Sequence, residues 1–354
     1  MATPKQSAHA AAVPLRSRGA TAPSGVAAVV RVAISSTRFT PSGTDKAECS
    51  PHAEAGRKGD RRDMRSTAII VHYGDVNPTV TMARAVTPFV DDVVVAVNDR
   101  SVRPVSLPAD VEWLVMDRNL GYGAAFMRVA AGRDSDVLIL LNNDLEISAE
   151  SFRRCVETLR ADARIGVVGP VLRLGDGRLQ SGAARLTRFR KASRPLIDPG
   201  VRVQECEWVT GAAMFLRGDL VHRIGMDGSY FLGHEDVDFC VRVRRAGYKI
   251  VCHGGAPAVH HASQVITGPR WSYYSPRNRV WFARANFGIG TAVFAWLGEL
   301  AVLPRVLLAD LVKRRDLTSS RLRLLAAVHS WLPKPSIGDG PRVDEPLAGR
   351  VMRW

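Results

Sequence analysis

The sequence predicts an α/β fold, a doubly wound and mostly parallel sheet with helices on both faces, followed by C-terminal helices. Strand-like and helix-like segments alternate from about residue 66, as crossover connections between parallel strands require. The run Val137-Leu138-Ile139-Leu140-Leu141 has no polar position to turn toward water, which suits a strand covered on both faces. Three polar clusters, Tyr73-Gly74-Asp75, Asn98-Asp99-Arg100-Ser101 and Asn142-Asn143-Asp144, fall at the carboxyl ends of predicted strands. That edge is where open α/β sheets bind ligands.

In chain order, residues 1–65 are rich in Ala, Ser, Thr, Pro and Gly and carry 11 basic against 5 acidic side chains. Such a composition favours a low-complexity, disordered tail. Met64 directly precedes the first strand and is expected as a native translation start; a peptide from upstream of it in the purified native protein would contradict that. Residues 67–73 read as the first buried strand. Asn77-Pro78 reads as a helix start, with Asn as cap and Pro in the first turn. Residues 92–97 and 111–116 read as further strands, 121–131 as a helix and 137–141 as the central strand. Ser148 caps the next helix, and 165–172 return as a strand. Residues 173–205, with Gly, Arg and Pro and little periodicity, read as a long substrate-facing loop. Residues 208–216, a helix over about 235–246 and a strand near 249–252 complete a catalytic domain spanning 66–285.

Beyond it, residues 289–303 carry no charge except Glu299 and are followed by Pro304-Arg305 and a second apolar-basic run ending at Lys313-Arg314-Arg315. The interruptions disfavour an unbroken span, which needs about 20 apolar residues. An amphipathic pair lying on anionic lipid and a helical subdomain packed on the core are the two readings of 286–335. Residues 336–354 form a tail.

The apolar share of 46% and charged share of 23% are those of a globular protein able to bury a core. A net charge of +15 favours anionic partners such as nucleotide phosphates or phospholipid headgroups. No basic recognition helix or aromatic-arginine strand accompanies that charge, so nucleic acid is not expected. Cys49, Cys155, Cys206, Cys240 and Cys252 have neither metal-ligand spacing nor a small disulfide framework, which suits a reducing compartment. No secretory signal is read at the N-terminus, so a cytoplasmic location is expected.

Four segments carry candidate chemistry. Asn142 and Asp144 put an amide oxygen and a carboxylate on one side of a strand end. A hard cation such as Mg²⁺ or Mn²⁺ takes such ligands, although Asn and Asp also favour plain turns. Glu235, Asp236 and Asp238 open a helix, where negative charge complements the dipole. Their mutual repulsion also suits a base of adjusted pKa, with Arg242 as local neutralisation. His260 and His261, at another strand end, are suited to completing a metal site. Arg277, in Tyr273-Tyr274-Ser275-Pro276-Arg277-Asn278-Arg279, offers a guanidinium for bidentate phosphate contacts or a solvated helix face.

The ordered series Asn119-Leu120-Gly121-Tyr122-Gly123, Leu141-Asn142-Asn143-Asp144, Thr210-Gly211-Ala212-Ala213, Glu235-Asp236-Val237-Asp238, Val259-His260-His261 and Arg277-Asn278 resembles family 2 glycosyltransferases, closest to their rhamnosyltransferase-like branch. The resemblance covers about residues 66–285. It implies a GT-A type nucleotide-sugar-binding fold and inverting transfer from a nucleoside-diphosphate sugar to a glycan, lipid-linked or other hydroxyl acceptor, with Mg²⁺ or Mn²⁺ as cofactor. It further implies Asn142 and Asp144 at the metal, joined by His261 with His260 as the alternative. Asp236 becomes the base, with Glu235 and Asp238 as supporting acids. Tyr73, Asp99, Asn119, Gly121, Asn143 and Arg277 are expected at the donor, and Trp208, Gly211 and Ala212 at the acceptor. Two departures from the family pattern, Tyr73-Gly74 and Asn98-Asp99-Arg100-Ser101, lie where the nucleoside should bind. A nucleotidyltransferase and a catalytically silent, membrane-associated sugar-nucleotide scaffold are the competing readings.

Overall fold

The computed structural model describes residues 64–189, 191, 197–261, 269–314 and 316–334. Residues 1–63 and the expected tail at 336–354 lie outside the described residues.

The sheet begins with β1 (Ser66–His72), β2 (Asp92–Val97), β3 (Glu112–Val115) and β4 (Val137–Asn142), paired in parallel in the order β3-β2-β1-β4. Successive strand residues point to opposite faces, and here both faces are covered. Ala68, Ile70, Val93, Val95, Ile139 and Leu141 pack in one core with Val80 and Ala83 of α1 (Val76–Val86) and Phe152 and Leu159 of α3 (Ala149–Ala161). Ile69, Val94, Leu138 and Leu140 pack in another with Phe126 and Val129 of α2 (Tyr122–Ala130) and Phe239 and Val243 of α5 (Glu235–Arg245). A helix layer on each side is why these strands are apolar without alternation.

The helix starts follow local chemistry. Ser148 caps α3 by accepting from Ser151 N. The cap of α1 is Asp75, whose carboxylate accepts from Asn77 N at 3.0 Å, so the predicted cap Asn77 and its Pro78 lie inside the first turn. Two residues after a capping Asp is where the first unpaired helix N–H groups need an acceptor.

The other half of the sheet contains antiparallel pairs. Strand β9 (Ala213–Arg217) lies antiparallel between β4 and β6 (Ile165–Arg173), with Leu141 opposite Ala213. Because β9 starts where β4 ends, the preceding Gly211-Ala212 is delivered to the Asn142 corner, and Asn142 N donates to Ala212 O at 2.8 Å. Strand β10 (Lys249–His260) runs parallel to β6 and antiparallel to β5 (Leu145–Ile147), which sets His260 opposite Leu145. The region read as a long loop holds β7 (Leu179–Ser181) on β6 and β8 (Val203–Cys206) on β10. A short α4 (Gly218–Ile224) follows β9.

The helix α6 (Pro269–Leu300) is two helices joined at Gly288, whose φ of 84° is left-handed and suits glycine. The first half is built into the core through Tyr273, Tyr274, Val280 and Trp281, all buried. The second half packs Ala292 and Ala295 against Val280 and Ala283, and α8 (Thr318–His329) packs Leu322 and Ala326 against Tyr273 and Tyr274. The helices are therefore packed on the α/β core, yet Ile289, Phe294, Leu297 and, around α7 (Leu303–Ala309), Leu308, Leu311 and Val312 are exposed. The helical stretch Arg270–Val312 is long and apolar enough to cross a membrane by length and composition.

Candidate active site

A cavity of about 390 Å³ opens at the carboxyl edge of β1, β2 and β4 and is bounded by the turn before β9 and the first turns of α5 and α6. The loop entering α2 shapes one wall. Asn98 holds that loop from both sides, its Nδ2 donating to Gly121 O at 3.0 Å and its Oδ1 accepting from Leu120 N at 3.1 Å. Gly121 has φ 81° and lies against the Phe231 backbone, where a Cβ would collide with Phe231 O.

The α5 N-terminus supplies the acids. Asp236 is half-buried on the cavity wall; its Oδ2 accepts from Gly211 N and its Oδ1 from Val237 N, each at 2.8 Å. Gly211 is itself held by Tyr122, whose hydroxyl donates to Gly211 O at 2.8 Å. Burial raises the Asp236 carboxyl above the usual range, opposed by those backbone N–H groups. Burial, and then the neighbouring Asp236 charge, raises Glu235 still further. Glu235 Oε2 has no hydrogen-bond partner among the described residues. Two carboxyls in one poorly hydrated corner favour holding a proton between them. His234, also on the cavity, is left-handed at φ 79°, and burial with nearby Arg279 pushes its ring down to about 3, so it is neutral.

Across the cavity, the end of β4 meets the end of β10. His260 Nε2 is 3.1 Å from Asn142 Nδ2 and 3.1 Å from Asp144 Oδ1. The imidazole nitrogen and the carboxylate oxygen are donor types that a divalent ion such as Mn²⁺ accepts, whereas Asn142 could contribute only through its amide oxygen. No group of three or more His, Cys, Asp or Glu that could hold a metal occurs among the described residues, so an ion here would need the Asn142 amide oxygen as a third ligand beside His260 and Asp144. His261 is elsewhere: its ring is half-exposed and pairs with Glu146 at 2.7 Å, while its backbone N donates to Asp144 O. Neighbouring strand residues face opposite ways, so only one of the two histidines can join Asn142 and Asp144.

Of the other expected residues, Tyr73, Asn119, Gly121, Asn143, Trp208, Gly211 and Ala212 line the cavity. Asp144 and His261 are not among the lining residues, and Asp238, Arg277 and Asp99 also stand away from the lining. Asp238 is 3% exposed and binds Arg242 Nε at 2.8 Å, Asn286 Nδ2 at 2.6 Å and Tyr230 OH at 3.3 Å, so it ties α5 to α6. Arg277 is 1% exposed, donates to Tyr230 O and Asn278 Oδ1, and lies 4.1 Å from the Trp281 ring centre. Its guanidinium is thus committed inside the protein. Asp99 accepts from Gly74 N at 2.5 Å and stands 3.6 Å from buried His72, bracing the two strand-end loops.

Among the described residues, the Lys and Arg side chains on the cavity are Lys191, Arg270 and Arg279. Arg270 reaches Tyr73 OH at 3.3 Å, and Arg279 is paired with buried Glu299, which also takes Arg323 at 3.2 Å. Arg279 lies on the opposite side of α6 from Arg277, since two positions differ by about 200° around an α-helix. That angular offset was the available signal that one of the pair would be buried and the other would face the cavity.

Residues 89–219 match the sequence model of Glycosyl transferase family 2. The N-acetylglucosaminyl-diphospho-decaprenol L-rhamnosyltransferase of Mycobacterium tuberculosis is 24% identical over 306 residues, 72% of this chain and 98% of that relative. The O-antigen biosynthesis protein RfbC of Myxococcus xanthus is 25% identical over 228 residues, 57% of this chain and 18% of that protein. Among solved structures, GalNAc-T7 with UDP, GalNAc and Mn²⁺ is 14% identical with a TM-score of 0.50, covering 62% of this chain and 48% of that one. At that identity the likeness is one of fold, and the fold is GT-A.

Proposed function

We propose that this chain, similar over residues 89–219 to family 2 glycosyltransferases and over most of its length to a rhamnosyltransferase, transfers a sugar with inversion from a nucleoside-diphosphate sugar to a lipid-linked cell-envelope glycan. Rhamnose carried by thymidine diphosphate is the first candidate donor, on the likeness to the mycobacterial relative. The observation that carries the reading is Asp236, a carboxylate held by Gly211 N on the wall of a cavity whose opposite side is lined by Asn142 and His260, with Asp144 3.1 Å from the His260 ring.

Asp236 takes the proton of the acceptor hydroxyl as that oxygen attacks the anomeric carbon. The bond from that carbon to the phosphate oxygen breaks on the opposite face, and its electron pair leaves with the nucleoside diphosphate. Arg270 and Arg279 face the cavity where they can offset the growing negative charge. A divalent ion held by Asn142, Asp144 and His260 would supply further charge neutralisation at the diphosphate. Gly211 N, by holding Asp236 Oδ2, fixes the base without blocking its remaining lone pairs. Product NMR tests the stereochemistry: the new glycosidic bond is expected to have the anomeric configuration opposite to that of the donor. Retention would contradict a single displacement with Asp236 as base.

The exposed apolar row at Ile289, Phe294, Leu308 and Leu311, on a chain of net charge +15, supports peripheral attachment to an anionic membrane carrying the acceptor. The full chain is expected to float with phosphatidylglycerol-containing vesicles, and Phe294→Ser with Leu308→Ser to lose most of that binding. Equal recovery of both proteins away from the vesicles would contradict the attachment.

A further inference from the structure

We propose that Gln180 is a positioning residue that fixes the His260 ring with its Nε2 lone pair turned toward Asn142 and Asp144, so that the three can take a divalent cation. The proposal rests on the metal-assisted reading above.

Gln180 belongs to β7, whose pairing with β6 slips: Leu172 is opposite Ser181, but Arg173 is opposite Leu179. Gln180 is therefore the unmatched residue of an irregular ladder, and such bulges re-aim a side chain out of the strand alternation. It reaches across to β10, with Oε1 2.9 Å from His260 Nδ1. An amide oxygen only accepts, so His260 Nδ1 carries the proton and donates. In the neutral ring Nε2 is then bare, and it is this atom that stands 3.1 Å from Asp144 Oδ1.

A nitrogen lone pair and a carboxylate oxygen at that separation are two acceptors facing each other. Asn142 Nδ2, 3.1 Å from Nε2, can donate to the ring, and positive charge at the corner, from a bound cation or from a second ring proton, would offset the repulsion between the two acceptors. A cation that accepts imidazole nitrogen and carboxylate oxygen provides it. Ligating histidines commonly hold their second ring nitrogen on such a partner, which sets tautomer and orientation. Were the Gln180 amide turned over, its NH₂ would donate to Nδ1, and Nε2–H would donate to Asp144 as a plain His–Asp pair with no call for a metal.

Two measurements on the full chain separate these arrangements. Histidine ¹⁵N NMR of the metal-free protein is expected to find His260 as the Nδ1–H tautomer. In Mn²⁺ titrations followed by EPR with thymidine diphosphate present, Gln180→Leu is expected to weaken Mn²⁺ binding about 10- to 100-fold. Gln180→Glu, which keeps the acceptor, should bind at least as tightly as wild type, and metal-free nucleotide binding should be the same in all three. An Nε2–H tautomer overturns the proposal, as does wild-type Mn²⁺ affinity in Gln180→Leu alongside its loss in His260→Ala. Failure of the wild type itself to bind Mn²⁺ removes the metal-assisted reading and this proposal together. Should Gln180→Leu fail to fold, the tautomer and Gln180→Glu still decide.

Discussion

Asp236→Asn is expected to lower kcat by about 10²–10⁴, the range a positioned general base contributes, while leaving the affinity for the donor near wild type. The substitution is nearly isosteric, and an Asn oxygen can still accept from Gly211 N, so the turn before β9 should hold its shape. What is lost is the basic lone pair. The acceptor proton then has no ready acceptor, since burial, the largest cause of the upward shift of Glu235 beside it, is left in place when the Asp236 charge is removed. In the wild type, Asp236 must be ionised to act, and its carboxyl is raised above its usual range. The rate should therefore rise with pH through that raised value and flatten above it. Stability has the opposite sign: the folded state keeps protons on these acids that the unfolded chain has lost, so stability falls as pH rises across the same window. Steady-state kinetics with isothermal titration of the donor check the first claim, and unchanged kcat would remove Asp236 from the role of base.

Asp144→Ala is the second large effect. It removes the carboxylate 3.1 Å from His260 Nε2 and leaves only an imidazole and an amide at the corner. A neutral pair holds a divalent ion poorly, because hard cations bind chiefly through charged oxygen. The expected loss in kcat/KM is about 10²-fold or more, corresponding to roughly 3 kcal/mol of charge stabilisation at the leaving group. Raising Mn²⁺ should recover part of the rate, whereas it should recover nothing in Asp236→Asn. Equal sensitivity of the two variants to added metal would contradict the division of labour between the two sides of the cavity.

The parallel half of the sheet was legible because its strands are buried on both faces. Residues 92–97 and 137–141 are apolar at every position, or nearly so, and turn polar only where the chain leaves the sheet for the cavity. The antiparallel additions were not. Strands β7 and β8 are three and four residues long and half-exposed, too short for a periodicity to mark them, and β8 pairs with a strand more than 40 residues away. Gln180 was hidden in that stretch for the same reason.

Among site residues, motif order brought out Asn142, Asp144 and Asp236 because each follows directly from a strand end or a helix start. It did not separate neighbours with the same chemistry. His260 and His261 differ only in which way a strand residue points, and that is set by the pairing of β10 with β5. Arg277 and Arg279 differ by their place around α6, so the arginine of the expected motif is buried beneath Trp281 while Arg270 and Arg279 face the cavity. Asp238 likewise lies one turn into α5, on the side that meets Arg242 and Asn286. Sequence spacing specifies which residues are near; side-chain direction, fixed by packing, decides which of them meet.

The most direct measurement is release of nucleoside diphosphate by the full chain from a panel of sugar donors, with Mn²⁺ and with or without a polyprenyl-diphosphate-linked sugar acceptor. Release from one donor, stimulated by the acceptor, abolished by chelation and lost in Asp236→Asn, is the predicted result. Acceptor-stimulated release that persists in Asp236→Asn, or release of pyrophosphate in its place, would contradict an inverting glycosyl transfer centred on that carboxylate.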